Sequence, residues 1–332
     1  MSHRYNLCIA GFGNVAQAFV HLLESKRSHL HDEYGIDFQI TGIASRTLGW
    51  IANPSGVDVR GPHSTAANVR DWLTQANADV LFEATSLNRH DGQPATDHIR
   101  AALEFGAHAI SANKGPVVFA YRELRDLANA NDLQFLFESA VLDGVPVFSL
   151  FRDAMPAAKV HAFHGILNST TNVVLEQIEQ GLSLDNAVKK AQKLGVAETD
   201  PTDDLEGWDA AVKVAALATV LFDHPVSLDQ IAREGITALE PSEVIAARKS
   251  GEPYKLVCRA KRTNAGVEAS VRPVRLPLSD PMAQADGTSS IITFELDVLP
   301  ALTIIEHNPG LEITAYGMLA DFIRAARDEW LR

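Results

Sequence analysis

Residues 6–25 read NLCIAGFGNVAQAFVHLLES, and this stretch decides the fold. NLCIA is a short apolar run of strand length, and the apolar spacing of VAQAFVHLLES is that of a helix. Between them stands Gly11-Phe12-Gly13-Asn14-Val15-Ala16. A G-x-G-x-x-A turn gains weight from this context, with a strand before it and a helix after it. Gly11 permits the tight turn, Gly13 lets the backbone approach a pyrophosphate, and Ala16 keeps helix and strand close. The helix start also offers N–H groups and partial positive charge to phosphates. Gly11, Phe12, Gly13, Asn14 and Val15 are therefore candidate dinucleotide contacts; an ordinary strand–helix turn is the bland alternative.

Outward from this turn, FQITGIAS (38–45), DVLFEAT (79–85) and HAISAN (108–113) are apolar runs suited to buried parallel strands. TAANVRDWLTQA (65–76), ATDHIRAALEFG (95–106) and YRELRDLANAN (121–131) are helical patterns between them, and LQFLFESAV (133–141) reads as one more strand. Strands alternating with helices predict an α/β, Rossmann-type parallel sheet over residues 1–145. Beyond residue 145 the pattern changes. A strand at 159–167 and two helices follow, the second with Ser183 as its cap. YKLVCRAKR, VEASVRPVRL, SSIITFEL and ALTIIEH then read as strands joined by short links. These predict an antiparallel sheet and a second, α+β domain over 146–313. The segment 314–332 is an amphipathic helix expected to pack back on the first domain.

The formal charge of −13 argues against a nucleic-acid or anionic-membrane binder. With 46% hydrophobic and 21% charged residues the composition is that of a soluble globular protein. Cys8 and Cys258, the only cysteines, fit a reducing cytosol rather than a disulfide framework. The N-terminus lacks a signal-peptide core, and the longest apolar run, 214–222, is far short of a membrane span. A cytoplasmic location is expected.

The second domain carries the segment 193–222, KLGVAETDPTDDLEGWDAAVKVAALATVLF. Asp209 and Lys213 stand four residues apart on a helix that is apolar almost all round, so they share one face and are expected to be buried. Burying such charges is costly unless they are paired. A structural salt bridge is one reading. Crowding by Glu198, Asp203 and Asp204 favours a functional site. Lys114 lies just beyond the HAIS strand, where a parallel sheet opens its ligand crevice, and there a lysine can hydrogen-bond a substrate oxygen or help move its proton. Thr85 and Ser86, at the end of the DVLFEAT run, are further candidate cofactor contacts. Arg46, within Ser45-Arg46-Thr47, stands where an acidic residue would bind a ribose hydroxyl. It suits a 2′-phosphate, so NADP is favoured over NAD. Asn168-Ser-Thr-Thr-Asn172 is a capping cluster whose N–H and hydroxyl groups can also hold a carboxylate. Glu138, Val141, Asp143 and Val145 border a turn whose carbonyls are a candidate seat for a monovalent cation, with a plain turn as the alternative. No metal-binding spacing occurs among the twelve histidines. Neither cysteine is placed as a nucleophile, which favours plain alcohol–carbonyl hydride transfer over thioester chemistry.

Together these motifs resemble the homoserine dehydrogenase family along nearly the whole chain. The most specific part is KLGVAETDPTDDLEGWDAAVK, similar to the family's K-L-G-[YF]-A-E-x-D-P-x-x-D-[VL]-x-G-x-D-A-A-x-K. The resemblance implies Lys213 and Lys114 as catalytic lysines, and Glu198, Asp204 and Asp209 as substrate-binding acids. It implies Thr170 as the threonine of an N-G-T-T-N segment, and residues 138–145 as the stretch that holds sodium in some members. Ser169 replaces that segment's glycine, and His307-Asn-Pro-Gly-Leu-Glu312 stands where many members have a glycine-rich run. No room is expected for an ACT regulatory domain or a fused kinase, hence no feedback inhibition through one. The implied reaction is reversible reduction of L-aspartate 4-semialdehyde to L-homoserine with NAD(P)H in an interdomain cleft, within threonine and methionine biosynthesis. Oxidation is expected to rise with alkaline pH. The alternatives are an enzyme acting on another small hydroxy acid and a catalytically silent dinucleotide-binding protein. A homodimer built on the second domain is expected, because its strands would leave apolar edges or faces open on a single chain.

Overall fold

The computed structural model describes residues 3–58 and 64–328. Contacts divide the chain into two compact units, Met1–Leu150 with Gly310–Arg332, and Phe151–Pro309.

The first unit runs β1 (His3–Ala10), α1 (Asn14–Tyr34), β2 (Ile36–Ser45), β3 (Gly49–Ala52), β4 (Ser64–Ala66), α2 (Val69–Ala76), β5 (Val80–Glu83), α3 (Ala95–Phe105), β6 (His108–Ser111), α4 (Lys114–Ala130) and β7 (Phe135–Leu136). Among the described residues its sheet has the order β4-β3-β2-β1-β5-β6-β7. Strands β2, β1, β5, β6 and β7 are parallel, as the alternating pattern implies. The sheet departs from expectation at both ends. β3 and β4 extend it antiparallel beyond β2. They are only four and three residues long, too short for a periodicity to register. At the other edge β7 spans two residues rather than 133–141. There the chain turns into a 3-10 helix at Glu138–Ala140, and then into a second tight turn in which Leu142, Asp143 and Gly144 all have positive φ. α4 also begins at Lys114, seven residues before the helical pattern at 121. Asn113 caps it by accepting a hydrogen bond from the Gly115 amide at 2.8 Å.

The second unit holds β8 (Val160–Ile166), α5 (Ser169–Glu179), α6 (Leu184–Lys193), α7 (Thr202–Leu205), α8 (Trp208–Leu221), β9 (Ile231–Arg233), α9 (Pro241–Lys249), β10 (Tyr254–Thr263), β11 (Gly266–Arg275), β12 (Ser290–Leu296) and β13 (Leu302–Glu306). Its sheet, in the order β13-β12-β8-β10-β11-β9, is antiparallel except at one edge, where β9 lies parallel to β11. Helices α5, α8 and α9 pack against β10, giving the two-layer arrangement that buries an amphipathic sheet. The opposite face carries charged as well as apolar side chains, Ala162, Phe163, Val267 and Met282 among the latter. It forms a groove of about 790 Å³ lined by Arg259, Lys261, Glu268, Arg272 and Glu295, all of them exposed. Alternation places these charges outward on strands whose other side chains fill the core.

α10 (Leu311–Asp328) belongs to the first unit. Its Met318 and Phe322 join Tyr5, Phe19 and Phe82 in one core, and the Phe322 ring meets Tyr5 and Phe82 edge-on. The last part of the helix expected over 314–332, residues 329–332, lies outside the described residues. No helix among the described residues is long and apolar enough to cross a membrane.

Candidate active site

In the first unit, the turn between β1 and α1 is shaped by its two glycines in different ways. Gly11 has φ +87°, and a Cβ there would lie 2.5 Å from the Ala84 carbonyl carbon, so only glycine lets the turn press against the end of β5. Its amide donates to Ala44 O at 2.8 Å, tying the turn to β2. A Cβ on Gly13 would meet nothing within 4 Å. The fold does not need that space filled, and a ligand can use it. Among the described residues no side chain caps α1, which leaves its first-turn amides for an anion. Gly11, Phe12, Gly13, Ser45, Arg46, Thr47, Thr85 and Ser86 line a cavity of about 420 Å³ at the C-terminal ends of β1, β2 and β5. Asn14 and Val15 form the first helical turn beside it. A cradle open at Gly13, amides at a helix start and Arg46 at the far wall are a donor set that fits a dinucleotide. Arg46 is exposed, and Lys114, half-buried, heads α4.

In the second unit, α7 is a single turn ended by Gly207 at φ +79°, and α8 starts at the next residue. This sharp reversal sets Asp204 beside Asp209. Asn168, which caps α5, binds both. Its amide nitrogen donates to Asp204 Oδ1 at 2.7 Å and to Asp209 Oδ2 at 3.0 Å. Its Oδ1 accepts from the Thr171 amide at 2.9 Å. Lys213 Nζ lies 3.0 Å from Asp209 Oδ2 and donates to Leu167 O at 2.6 Å, with about a fifth of each side chain in the pair exposed. The ammonium therefore faces a carboxylate and a carbonyl in a largely desolvated place. Burial, reinforced by the Asp209 charge, raises the Asp204 carboxyl above its usual range; the Asn168 hydrogen bond, Lys213 and Thr170 oppose the rise.

Two family models match the chain. One described as homoserine dehydrogenase covers residues 146–323, more than half of it, and one described as homoserine dehydrogenase, NAD binding domain, covers 11–138. The chain belongs to the homoserine dehydrogenase family. It is 36% identical to an NAD(+)-dependent homoserine dehydrogenase of Pseudomonas canavaninivorans, over 96% of this chain and 95% of that one. It is 28% identical to a homoserine dehydrogenase of Methanocaldococcus jannaschii, over 96% and 97% of the two chains. The crystal structure of a homoserine dehydrogenase from Thiobacillus denitrificans superposes with a TM-score of 0.85 at 27% identity, over 98% of this chain and 74% of that one. Homoserine dehydrogenases are NAD(P)-dependent oxidoreductases acting on a CH–OH group, and this chain is one of the family's enzymes.

Within this homoserine dehydrogenase, the second unit brings Asp204, Asp209 and Lys213 into one network. Thr170 is buried close by, its hydroxyl donating to Val196 O at 3.2 Å. Glu198 sits on an exposed loop, and among the described residues no hydrogen bond or ion pair joins its carboxylate to that network. Asn168 and the Leu167 carbonyl hold the network together, a role the sequence did not reveal. Asn168 was legible there only as a helix cap, and a backbone carbonyl leaves no sequence signal. Ser169, the departure from the family's glycine, turns its hydroxyl to Thr288 O at 3.2 Å. Glu138 is buried, and its two oxygens accept from the Phe148 and Ser149 amides at 2.7 and 2.8 Å. Asp143 accepts from Thr314, and Val145 O accepts from the Val147 amide; Val141 is buried beside them. Among the described residues no group of three or more His, Cys, Asp or Glu converges as a metal site. Both thiols are buried. Burial pushes Cys258 up to about 12, and raises Cys8 as well, so neither supplies a thiolate.

The raised Asp204 pKa has a stability consequence. Below the unfolded value of 3.8 the carboxyl is protonated in both states. As pH rises through the window above it, the folded state resists ionisation and stability is lost. Asp204→Asn keeps the shape and removes the penalty. Its Tm should exceed that of the parent near pH 7, with the gain vanishing as the pH is lowered towards 3.8, while turnover falls. Paired thermal scans across that range, with activity assays, check this.

Proposed function

We propose that the chain catalyses reversible hydride transfer between L-homoserine and L-aspartate 4-semialdehyde, with Lys213 and Lys114 as its acid–base lysines. The carrying observation is the Asn168–Asp204–Asp209–Lys213 network, in which two carboxylates share one amide and one of them faces the ammonium. Two neighbouring carboxylates suit a substrate ammonium, and Glu198 can close on the same group. Thr170 and the first-turn amides of α5 suit the carboxylate end. Gly11, Phe12, Gly13, Asn14 and Val15, with Thr85 and Ser86, would hold the dinucleotide, which would supply or take up the hydride. Lys213 gives its proton to the oxygen that becomes the alcohol, and Lys114 stabilises the same oxygen. In the oxidative direction a neutral lysine must take that proton, so the rate rises with alkaline pH. The Ser169 hydroxyl is engaged by Thr288 O, which supports the family's substrate over another hydroxy acid. Nicotinamide absorbance followed across homoserine and other three- and four-carbon hydroxy acids tests this, and a stronger response to any other substrate overturns it.

For the cofactor, the proposal is NADP. Arg46 lines the nucleotide cavity between Ser45 and Thr47, and among the described residues no acidic side chain lines that cavity to bind a ribose diol. Arg46→Ala should weaken NADP(H) by about 1.5–3 kcal/mol, the worth of a charged hydrogen bond, and spare NAD(H). Equal losses in fluorescence titrations of both nucleotides would assign NAD, the cofactor named for the Pseudomonas relative.

The proposed assembly is a homodimer through the second unit's open sheet face. That face offers Arg259, Lys261 and Arg272 alongside Glu268 and Glu295. Both signs on one patch are what a self-complementary two-fold contact needs. A contact larger than about 2,000 Å² in total is expected. Light scattering should give twice the monomer mass. A monomer at micromolar concentration refutes the assembly, and reversing Lys261 and Arg272 to Glu should dissociate it.

A further inference from the structure

We propose that Glu83 is a positioning residue that fixes, through Thr85 and Asn113, the place of Lys114 beside the nucleotide cavity. This rests on the reading of Lys114 given above. Glu83 ends β5, in register with Ala10 of β1 and Ser111 of β6, at the edge where the sheet opens to the cavity. Its side chain is wholly buried. Its Oε1 accepts from the Thr85 hydroxyl at 2.5 Å, from the Thr85 amide at 3.3 Å and faces His98 Nδ1 at 3.4 Å. Its Oε2 has no hydrogen-bond partner among the described residues. A buried carboxylate with one oxygen unsatisfied is costly, and an apolar side chain of similar size would serve packing alone better. What the carboxylate does is orient Thr85. The Thr85 carbonyl accepts from Asn113 Nδ2 at 3.0 Å, and Asn113 Oδ1 caps the Gly115 amide at 2.8 Å. Three hydrogen bonds thus run from Glu83 to the first turn of the helix that Lys114 heads. There is no slack at its end, because a Cβ on Gly115 would lie 2.9 Å from Gly92 Cα. Thr85 is also among the residues that line the nucleotide cavity, so the relay runs along one edge of it.

The test uses the full chain with Glu83→Leu, Glu83→Gln and Thr85→Val, each alone and combined with Lys114→Ala. Glu83→Leu is expected to lower kcat about ten- to a hundredfold, the size of effect that misplacing a reacting group has. The Kd for NADPH, most of whose proposed contacts lie at the glycine turn and Arg46, should stay within about threefold. Glu83→Gln keeps an acceptor for the Thr85 hydroxyl and should recover most of the loss. In the Lys114→Ala background Glu83→Leu should add less than about twofold, because the two act in series. Amide hydrogen exchange at 113–118 should rise in Glu83→Leu and Thr85→Val, a readout that stands whatever the substrate proves to be. A merely structural Glu83 would lower Tm and leave the exchange of that segment and kcat unchanged. Either an unchanged kcat or an equal fold-loss in both backgrounds overturns the proposal. Should Glu83→Leu fail to fold, Thr85→Val decides it by the same two readouts. A parent that binds NADPH but does not oxidise homoserine with NADP refutes the proposed function instead, and the exchange measurement still judges Glu83.

Discussion

Lys213→Ala is expected to lower kcat by about 10²–10⁴-fold, the usual worth of a general acid–base group, with dinucleotide binding unchanged. The ammonium stands between Asp209 Oδ2 and Leu167 O, on a helix whose remaining faces are closed by Ala210, Ala211, Val212, Val214, Ala215, Ala216 and Leu217. In such a place it has a fixed direction and little water to compete with it. Alanine suits the helix, so the backbone should hold. The cost falls on Asp209, left beside Asp204 without its cation, and Tm should drop measurably. Because the proposed nucleotide contacts lie in the other unit, an NADPH titration of the variant separates lost chemistry from lost structure. Activity above about a tenth of the parent's would remove Lys213 from the proton-donor role.

Gly13→Ala should weaken dinucleotide binding about ten- to a hundredfold, as when one hydrogen bond to a charged group is lost, while Tm stays within a couple of degrees. Its φ of −84° suits any residue and its Cβ would enter open space, so the unliganded fold has no reason to change. Gly11→Ala should behave oppositely, because its φ is positive and its Cβ collides with the Ala84 backbone. Two glycines two residues apart are thus expected to separate binding from folding. Calorimetry on one and thermal melting on the other read this directly. If both variants lose stability alike, the space at Gly13 is not a phosphate cradle.

The parts of the molecule legible in sequence are those that repeat or that break a rule. The glycine turn was readable because strand, turn and helix each carry a period, and Asp209 and Lys213 because two charges interrupt an apolar helix. β3, β4 and β9 were not, since three or four residues are too few to show alternation. The turns at 138–145 were hidden for another reason. LQFLFESAV is apolar enough for a strand, but Glu138 folds back to take the Phe148 and Ser149 amides, a tertiary contact that local pattern does not encode. Helical periodicity also misled at α4, whose first turn is made by the Asn113 cap and Gly115-Pro116 rather than by an apolar stripe. The charges on the outward face of the second sheet were not read, because strand composition was taken without assigning sides. Once alternation is applied, Arg259, Lys261, Arg272, Glu268 and Glu295 fall together.

The helix α10 ties the nucleotide-binding unit to the order in which the chain is made. Met318 and Phe322 complete the core around Tyr5, Phe19 and Phe82, yet all of residues 151–309 leave the ribosome before them. The first 150 residues therefore emerge with an open flank on α1 that only a later segment can close. During synthesis that flank must wait, exposed to chaperones or to other nascent chains, while the second unit already has every strand it needs. Biogenesis should thus run opposite to sequence order, with the second unit reaching its final packing first and dinucleotide affinity arriving last.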